Sequence, residues 1–219
     1  MKPVNFKFRA GRFILLAIIM FFGLKGFSQA YPFPQNYQYP YGQIYKSSNV
    51  GATIQSLYTN WKSKYYVESG NYGRVKFVQT GEDGTNSVSE GIGYGMLITV
   101  YMANSTNTDC KSMFDKLWAY YKFNKDDASG YLMDWKVNAF TGNVASGTGN
   151  SNAATDADID VAQALLMASK QWNSSSYETD AKTLIGYIWN YEVDYANNLL
   201  KPGDAFNDYN NPCYYITNA

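Results

Sequence analysis

From Val50 onward, apolar residues return at the spacing of an α-helix in five separate stretches, which limits the chain to folds made by packing helix on helix. Val50, Ile54, Leu57, Tyr58, Trp61 and Tyr65 mark the first stripe. The second runs from about Gly91 to Met102 through Ile92, Met96 and Val100. The third spans Thr108 to Tyr121 and carries Phe114, Leu117, Trp118 and Tyr121. Val161, Ala164, Leu165, Ala168 and Trp172 form the fourth, and Ala181, Leu184, Ile185, Ile188 and Trp189 are expected to face the core from the fifth. Polar, glycine-rich loops separate them, and Tyr131 to Val137 reads as a short β-excursion. The predicted class is all-α, and alternating helices and long loops fit a helical toroid.

Several chemistries are excluded at once. The chain has 219 residues, room for one domain, and contains no histidine. That removes Ser-His-Asp and Cys-His nucleophilic systems and weakens any zinc hydrolase, so acid–base work falls to carboxylates, tyrosines or lysines. Neither metal nor cofactor is expected. The 21 Tyr and 5 Trp offer flat apolar faces with polar edges, which suit stacking on sugar rings, although most are expected to fill a helical core. Residues 1–30 read as a secretory signal peptide: Lys2, Lys7, Arg9 and Arg12 precede an apolar run from Phe13 to Gly23, then a small-x-small site at Ser28-Gln29-Ala30. That run is short for a membrane span of about 20 residues. Its removal takes five basic residues and no acids from an even balance of 18 and 18, leaving a mildly acidic protein without a basic patch for nucleic acid. Residues 31–48, rich in Tyr, Pro, Gln and Gly, read as an extended lead-in. Cys110 and Cys213 fall in separate helical segments and read as free thiols.

Two helix openings carry acids. Asp156, Asp158 and Asp160 crowd the start of the fourth stripe, where Thr155 and Asp158 fit a capping box and acids complement the macrodipole. Three acids spaced two apart exceed that need. Ser87 and Glu90 make a second capping box on paper, ahead of Gly91, Gly93 and Gly95. Each glycine inside a helix costs about 1 kcal/mol relative to alanine, so three need a reason: close approach of another backbone or a ligand. A glycine-lined surface beside Glu90 would let a bulky substrate approach. Paired carboxylates on two helix starts match the needs of glycoside hydrolysis, where one protonates the leaving oxygen and another acts across the sugar.

At these residues the chain resembles glycoside hydrolase family 8. Ser89 to Met96 looks like the acid-bearing motif of that family and Ala154 to Trp172 like its signature helix, with Val161 where isoleucine or methionine is usual. Leu132-Met133-Asp134-Trp135, Leu200 to Asp204 and Asn211 to Tyr215 are similar to three further family stretches, in the same order. The resemblance implies an (α/α)6 toroid of helical hairpins, here an incomplete barrel of about five to six helices, with 49–219 as the N-terminal part of a truncated catalytic domain. It implies a secreted, monomeric endo-acting hydrolase of β-1,4-glucan using an inverting mechanism. Glu90 would be the general acid, Asp156 a charge-stabilising carboxylate beside the cleaved sugar, and Tyr94 and Trp135 substrate-binding rings. Asp134, Asp158 and Asp160 read as structural or peripheral. The base carboxylate has no matching position, so the chain alone is expected to be inactive, with Ile54, Leu57 and Trp61 lacking packing partners. A xylanase or chitosanase of the same family, and a non-catalytic carbohydrate-binding remnant, are the alternatives.

Overall fold

A computed structural model describes residues 29–34, 50–147 and 151–207. The signal-peptide reading, most of the lead-in and Cys213 lie outside the described residues. Five helices are present among the described residues: α1 (Val50–Tyr65), α2 (Ser89–Met102), α3 (Cys110–Phe123), α4 (Thr155–Gln171) and α5 (Ser175–Glu192). None is long and apolar enough to cross a membrane.

The apolar stripes explain how they pack. Ile92, Met96 and Val100 of α2 are buried, as are Val161, Ala164, Leu165 and Ala168 of α4, and the two helices adjoin along their length. Behind them, α3 packs on α2 and α5 on α4. This outer pair is tied together by Phe114, whose ring meets Tyr177 edge-on at 5.2 Å, and by Trp118, which donates its indole N–H to Asp180 at 2.8 Å. Fully burying side chains of this size stabilises by about 1.5–3 kcal/mol each, so the inner faces of α2 and α4 anchor the fold. Residues 29–34 cross the far ends of these two helices. There Ala30 N–H donates to the Gln171 carbonyl and Phe33 N–H to that of Ala103.

Two stripes are less buried than their period implies. In α1, Tyr58 alone is buried, while Ile54 is 38% and Leu57 62% exposed; Trp61 is half-buried against the Tyr58 ring. In α5, Ala181, Leu184 and Ile188 face inward, but Ile185 and Trp189, expected in the core, are 44% and 57% exposed. A helix at the flank of a layer has a neighbour on one side only, so the second half of its apolar stripe stays open.

The helical class needs one qualification. Nine short strands, all antiparallel, join the helices among the described residues. β1 (Tyr66–Ser69) pairs with β2 (Tyr72–Val75), and β3 (Val78–Gln79) with β4 (Glu82–Asp83). β5 (Asn86–Val88), β6 (Lys136–Asn138) and β7 (Asn143–Val144) form a three-stranded sheet, with Ser87 opposite Val137 and Val88 opposite Lys136. β8 (Val193–Asp194) pairs with β9 (Leu199–Leu200). The expected β-excursion therefore begins later, at Lys136, preceded by a single bridge between Lys125 and Met133. Strands of two to four residues are too short to show an alternating period, so the sequence did not announce the others.

Candidate active site

The opening of α2 is set by what comes before it. β5 runs straight into the helix, and Ser89 N–H donates to the Trp135 carbonyl at 2.9 Å. Arg74, buried beneath this stretch, donates to the carbonyls of Gly84 and Asn86 and to Ser87 Oγ, at 3.0–3.1 Å. Ser87 Oγ in turn donates to the Val75 carbonyl. The serine of the supposed capping box is thus spent on the strand, the N-cap position falls to Val88, and no side chain caps the helix. Thr155 fails as a capping residue too. It is the first residue inside its helix, behind Ala154, and that helix has no side-chain cap.

Gly93 and Gly95 serve helix packing, not access for a ligand. A Cβ on Gly93 would sit 3.0 Å from Asp160 Cβ and 3.2 Å from the Ala157 carbonyl oxygen, so α2 and α4 cross here at close range. On Gly95 it would meet Val75 Cγ2 at 2.9 Å and Leu117 Cδ1 at 3.2 Å. The expectation of a glycine-lined substrate surface is therefore corrected at Gly93 and Gly95: a neighbouring helix and two core side chains occupy that space.

The same crossing brings the acids together. Gly93 lies against the start of α4, while Gln171 at its end donates to the Val100 carbonyl near the end of α2. The two helices are therefore parallel, and both openings lie at one end of the molecule. Glu90 is one turn before the crossing and Asp156 one residue before Ala157, close enough for the Asp156 charge to act on Glu90. Trp135, bonded through its carbonyl to Ser89, joins them at this end, half-buried, with Lys136 Nζ 5.9 Å from its ring centre. Tyr94, one turn after Glu90, is 55% exposed.

The two carboxyls differ in environment. Glu90 is half-buried, and its Oε2 has no hydrogen-bond partner. Burial, reinforced by the Asp156 charge, raises its pKa above the ordinary glutamate range. Asp156 is exposed. A carboxyl that keeps its proton longer than usual, beside one open to solvent, can donate a proton in company with a fixed negative charge.

The acids set aside as structural are also located. Asp134 is buried, accepts a hydrogen bond from Ser151 Oγ, and is pushed up to about 6, chiefly by burial. Asp158 is wholly buried under the Tyr121 hydroxyl, which donates to it. Asp160 is partly exposed, with its Cβ against Gly93. Sequence reasoning missed Glu192, fully buried at the end of α5, because nothing marks an acid in a last helical turn as anything but solvated. Among the described residues no three His, Cys, Asp or Glu side chains are arranged to hold a metal ion. Cys110 is buried and free, its sulfur 3.2 Å from the Tyr58 hydroxyl.

Comparison with known proteins identifies the family and the fold. Endoglucanase 2 of Ruminiclostridium josui is 36% identical over 193 residues, covering 84% of this chain and 40% of its own length. A beta-glucanase of Niallia circulans is 34% identical, covering 81% and 43%. Among solved structures, an apo beta-1,3-1,4-glucanase from Paenibacillus sp. X4 superposes with a TM-score of 0.71 at 33% identity, over 81% of this chain and 47% of that one. The chain thus spans less than half the length of these relatives, and its five helices correspond to part of a helical toroid. The sequence profile of the glycosyl hydrolases of family 8 matches residues 31–219, which include both acid-bearing openings, and the chain belongs to that family.

Proposed function

We propose that this chain forms part of a secreted, endo-acting hydrolase of β-1,4-glucan. Glu90 is its general acid and Asp156 the carboxylate that steadies positive charge on the sugar. The observation that carries this reading is the unlike pair at one end of two parallel helices: Glu90 half-buried with raised proton affinity, Asp156 exposed beside it. Glu90 gives its proton to the glycosidic oxygen as the bond to the anomeric carbon breaks, and the oxocarbenium-like charge that develops lies near Asp156. In an inverting reaction a water attacks the opposite face and loses its proton to a second carboxylate, about 6.5–9.5 Å from the acid. Among the described residues Asp156 is the carboxylate whose charge raises Glu90. We assign the water-activating base to a part of the toroid not spanned here. Trp135 and the exposed Tyr94 supply faces for sugar rings at the same end.

The test is product analysis on carboxymethylcellulose, mixed-linkage β-1,3-1,4-glucan, xylan and chitosan, using the protein that carries this chain and residues 31–219 alone. Internal cleavage of the first substrate by the carrier protein, with a newly formed α-anomer, is expected; residues 31–219 alone are expected to be inactive. Likeness to the Paenibacillus glucanase makes mixed-linkage glucan the second substrate to score. Cleavage of xylan or chitosan in preference to both glucans would overturn the substrate assignment. Retention of configuration would overturn the inverting one.

A further inference from the structure

Three helices meet at a buried point below the opening of α4. Tyr121 of α3 donates its hydroxyl to Asp158 of α4, and Glu192 at the end of α5 lies against both Asp158 and Thr155. Asp158 and Glu192 are 0% exposed. No hydrogen bond of ordinary geometry reaches Asp158 Oδ2 or either carboxyl oxygen of Glu192, and the donor group that lies against Glu192 is the Thr155 hydroxyl. The other titratable groups facing the pair are Asp126, from the loop after α3, and Asp204, beyond β9. Every one of these groups is an acid or a neutral hydroxyl, and none of the ion pairs among the described residues reaches Asp158 or Glu192. Two bare carboxylates side by side, both fully buried, cannot both stay charged.

We propose that Asp158 and Glu192 share one proton, and that this proton fastens the opening turn of α4, and with it Asp156, to the end of α5. One acid donates its O–H to the other, and the Tyr121 hydroxyl donates to Asp158. The proton is bound from solvent on folding and returned on unfolding. The clamp is read from packing alone and does not rest on the assignment of Glu90 and Asp156 to hydrolysis.

Its consequence is a dependence on pH with a definite sign. Burial raises both carboxyls: Glu192 to about 7, and Asp158 well above its ordinary range. In the unfolded chain both titrate near about 4. The folded pair therefore holds more protons than the unfolded one as pH rises past that value. Its stabilisation is greatest in acid and declines as pH rises past about 4. Near about 7 Glu192 gives up its proton, the single shared one remains, and the decline continues until that last proton leaves. Asp134 and Asp204, each raised to about 6, tilt stability in the same direction, so the contribution of the pair must be separated by substitution.

Thermal unfolding from about pH 4.5 to 8.5 makes that separation, with a loss of roughly 5–10 °C in Tm expected for the natural sequence. Glu192→Gln keeps an amide donor against Asp158 but cannot titrate, and its loss is expected to be about half as large. Amide hydrogen exchange at residues 155–160, corrected for the intrinsic effect of pH, should accelerate with pH in the natural sequence and stay level in Glu192→Gln. Equal Tm slopes, or equal exchange, in the two proteins would overturn the proposal. If the variant does not fold, carbon-13 NMR of glutamate carboxyls decides. One glutamate, still present in Glu90→Gln protein, should titrate near about 7; completion of every glutamate titration at ordinary acidic pH would sink the idea. A rise in Tm with added calcium or potassium, abolished by Glu192→Gln, would put a metal ion in place of the proton and overturn it as well.

Discussion

The openings of α2 and α4 look alike as sequence and are built differently. Each shows a hydroxyl residue three positions before an acid, and in neither does that hydroxyl cap the helix. The α2 opening is held from outside, by a strand that runs into it and by the Trp135 carbonyl that takes the Ser89 amide. The α4 opening is held from beneath. Thr155 N–H donates to the Pro202 carbonyl, and Asp158 is buried against Tyr121 and Glu192. As a result Glu90 is drawn partly into the protein and its proton affinity is raised, while Asp156, two residues from a buried anchor, faces solvent. Similar local patterns yield unlike acids because the anchoring partners come from distant segments.

The comparison can be broken most severely at Glu90. In the protein that carries this chain, Glu90→Gln is expected to lower turnover of unactivated β-glucan by about 10²–10⁴-fold. Aryl glycosides with good leaving groups, which need little protonation, should suffer much less. Parent-level glucan cleavage by the variant would remove Glu90 from the chemistry. Asp156→Asn is expected to cost about 10²-fold, because it deletes a charge beside the developing cation. It should also move the alkaline limb of the pH–rate profile to lower pH, since Glu90 loses a negative neighbour that raises its proton affinity. An unmoved limb would show that the two carboxyls do not share a site.

The close approach that joins the openings can be sharpened by stability measurements. Gly93→Ala would push a methyl group onto Asp160 Cβ and the Ala157 carbonyl, and should destabilise by about 1–3 kcal/mol in denaturant unfolding. A neutral result would mean that α2 and α4 are not in contact there. The smallest effect belongs to Gly186, in the middle of α5, where an added Cβ meets nothing within 4 Å. Gly186→Ala is expected to stabilise by up to about 1 kcal/mol through helix propensity alone. Together the two substitutions distinguish a glycine kept for packing from one that only weakens its helix.

Much of the fold was legible. The five helices follow from the apolar period, because a helix buried on one side must repeat near 3.6 residues wherever it occurs. The strands were not, since Val78–Gln79 and Glu82–Asp83 are two residues each and exist through pairing with partners elsewhere in the chain. The two acid-bearing openings were legible as clusters of carboxylates and glycines. The use of those glycines was not, because a missing side chain looks the same whether a helix or a ligand fills the space.

The sequence by itself determined which segments are helical, that acid–base chemistry must fall to groups other than histidine, and which acids open α2 and α4. Those properties depend on residue type and short-range spacing. Tertiary structure alone decided that the two helices run parallel with both acids at one end, that Glu90 is half-buried while Asp156 is exposed, and that Asp158 meets Glu192 across 34 residues of chain. It also decided which half of the α1 and α5 stripes is buried. The proton affinity and exposure of a side chain depend on the atoms around it, and around these residues those atoms belong to helices distant in sequence.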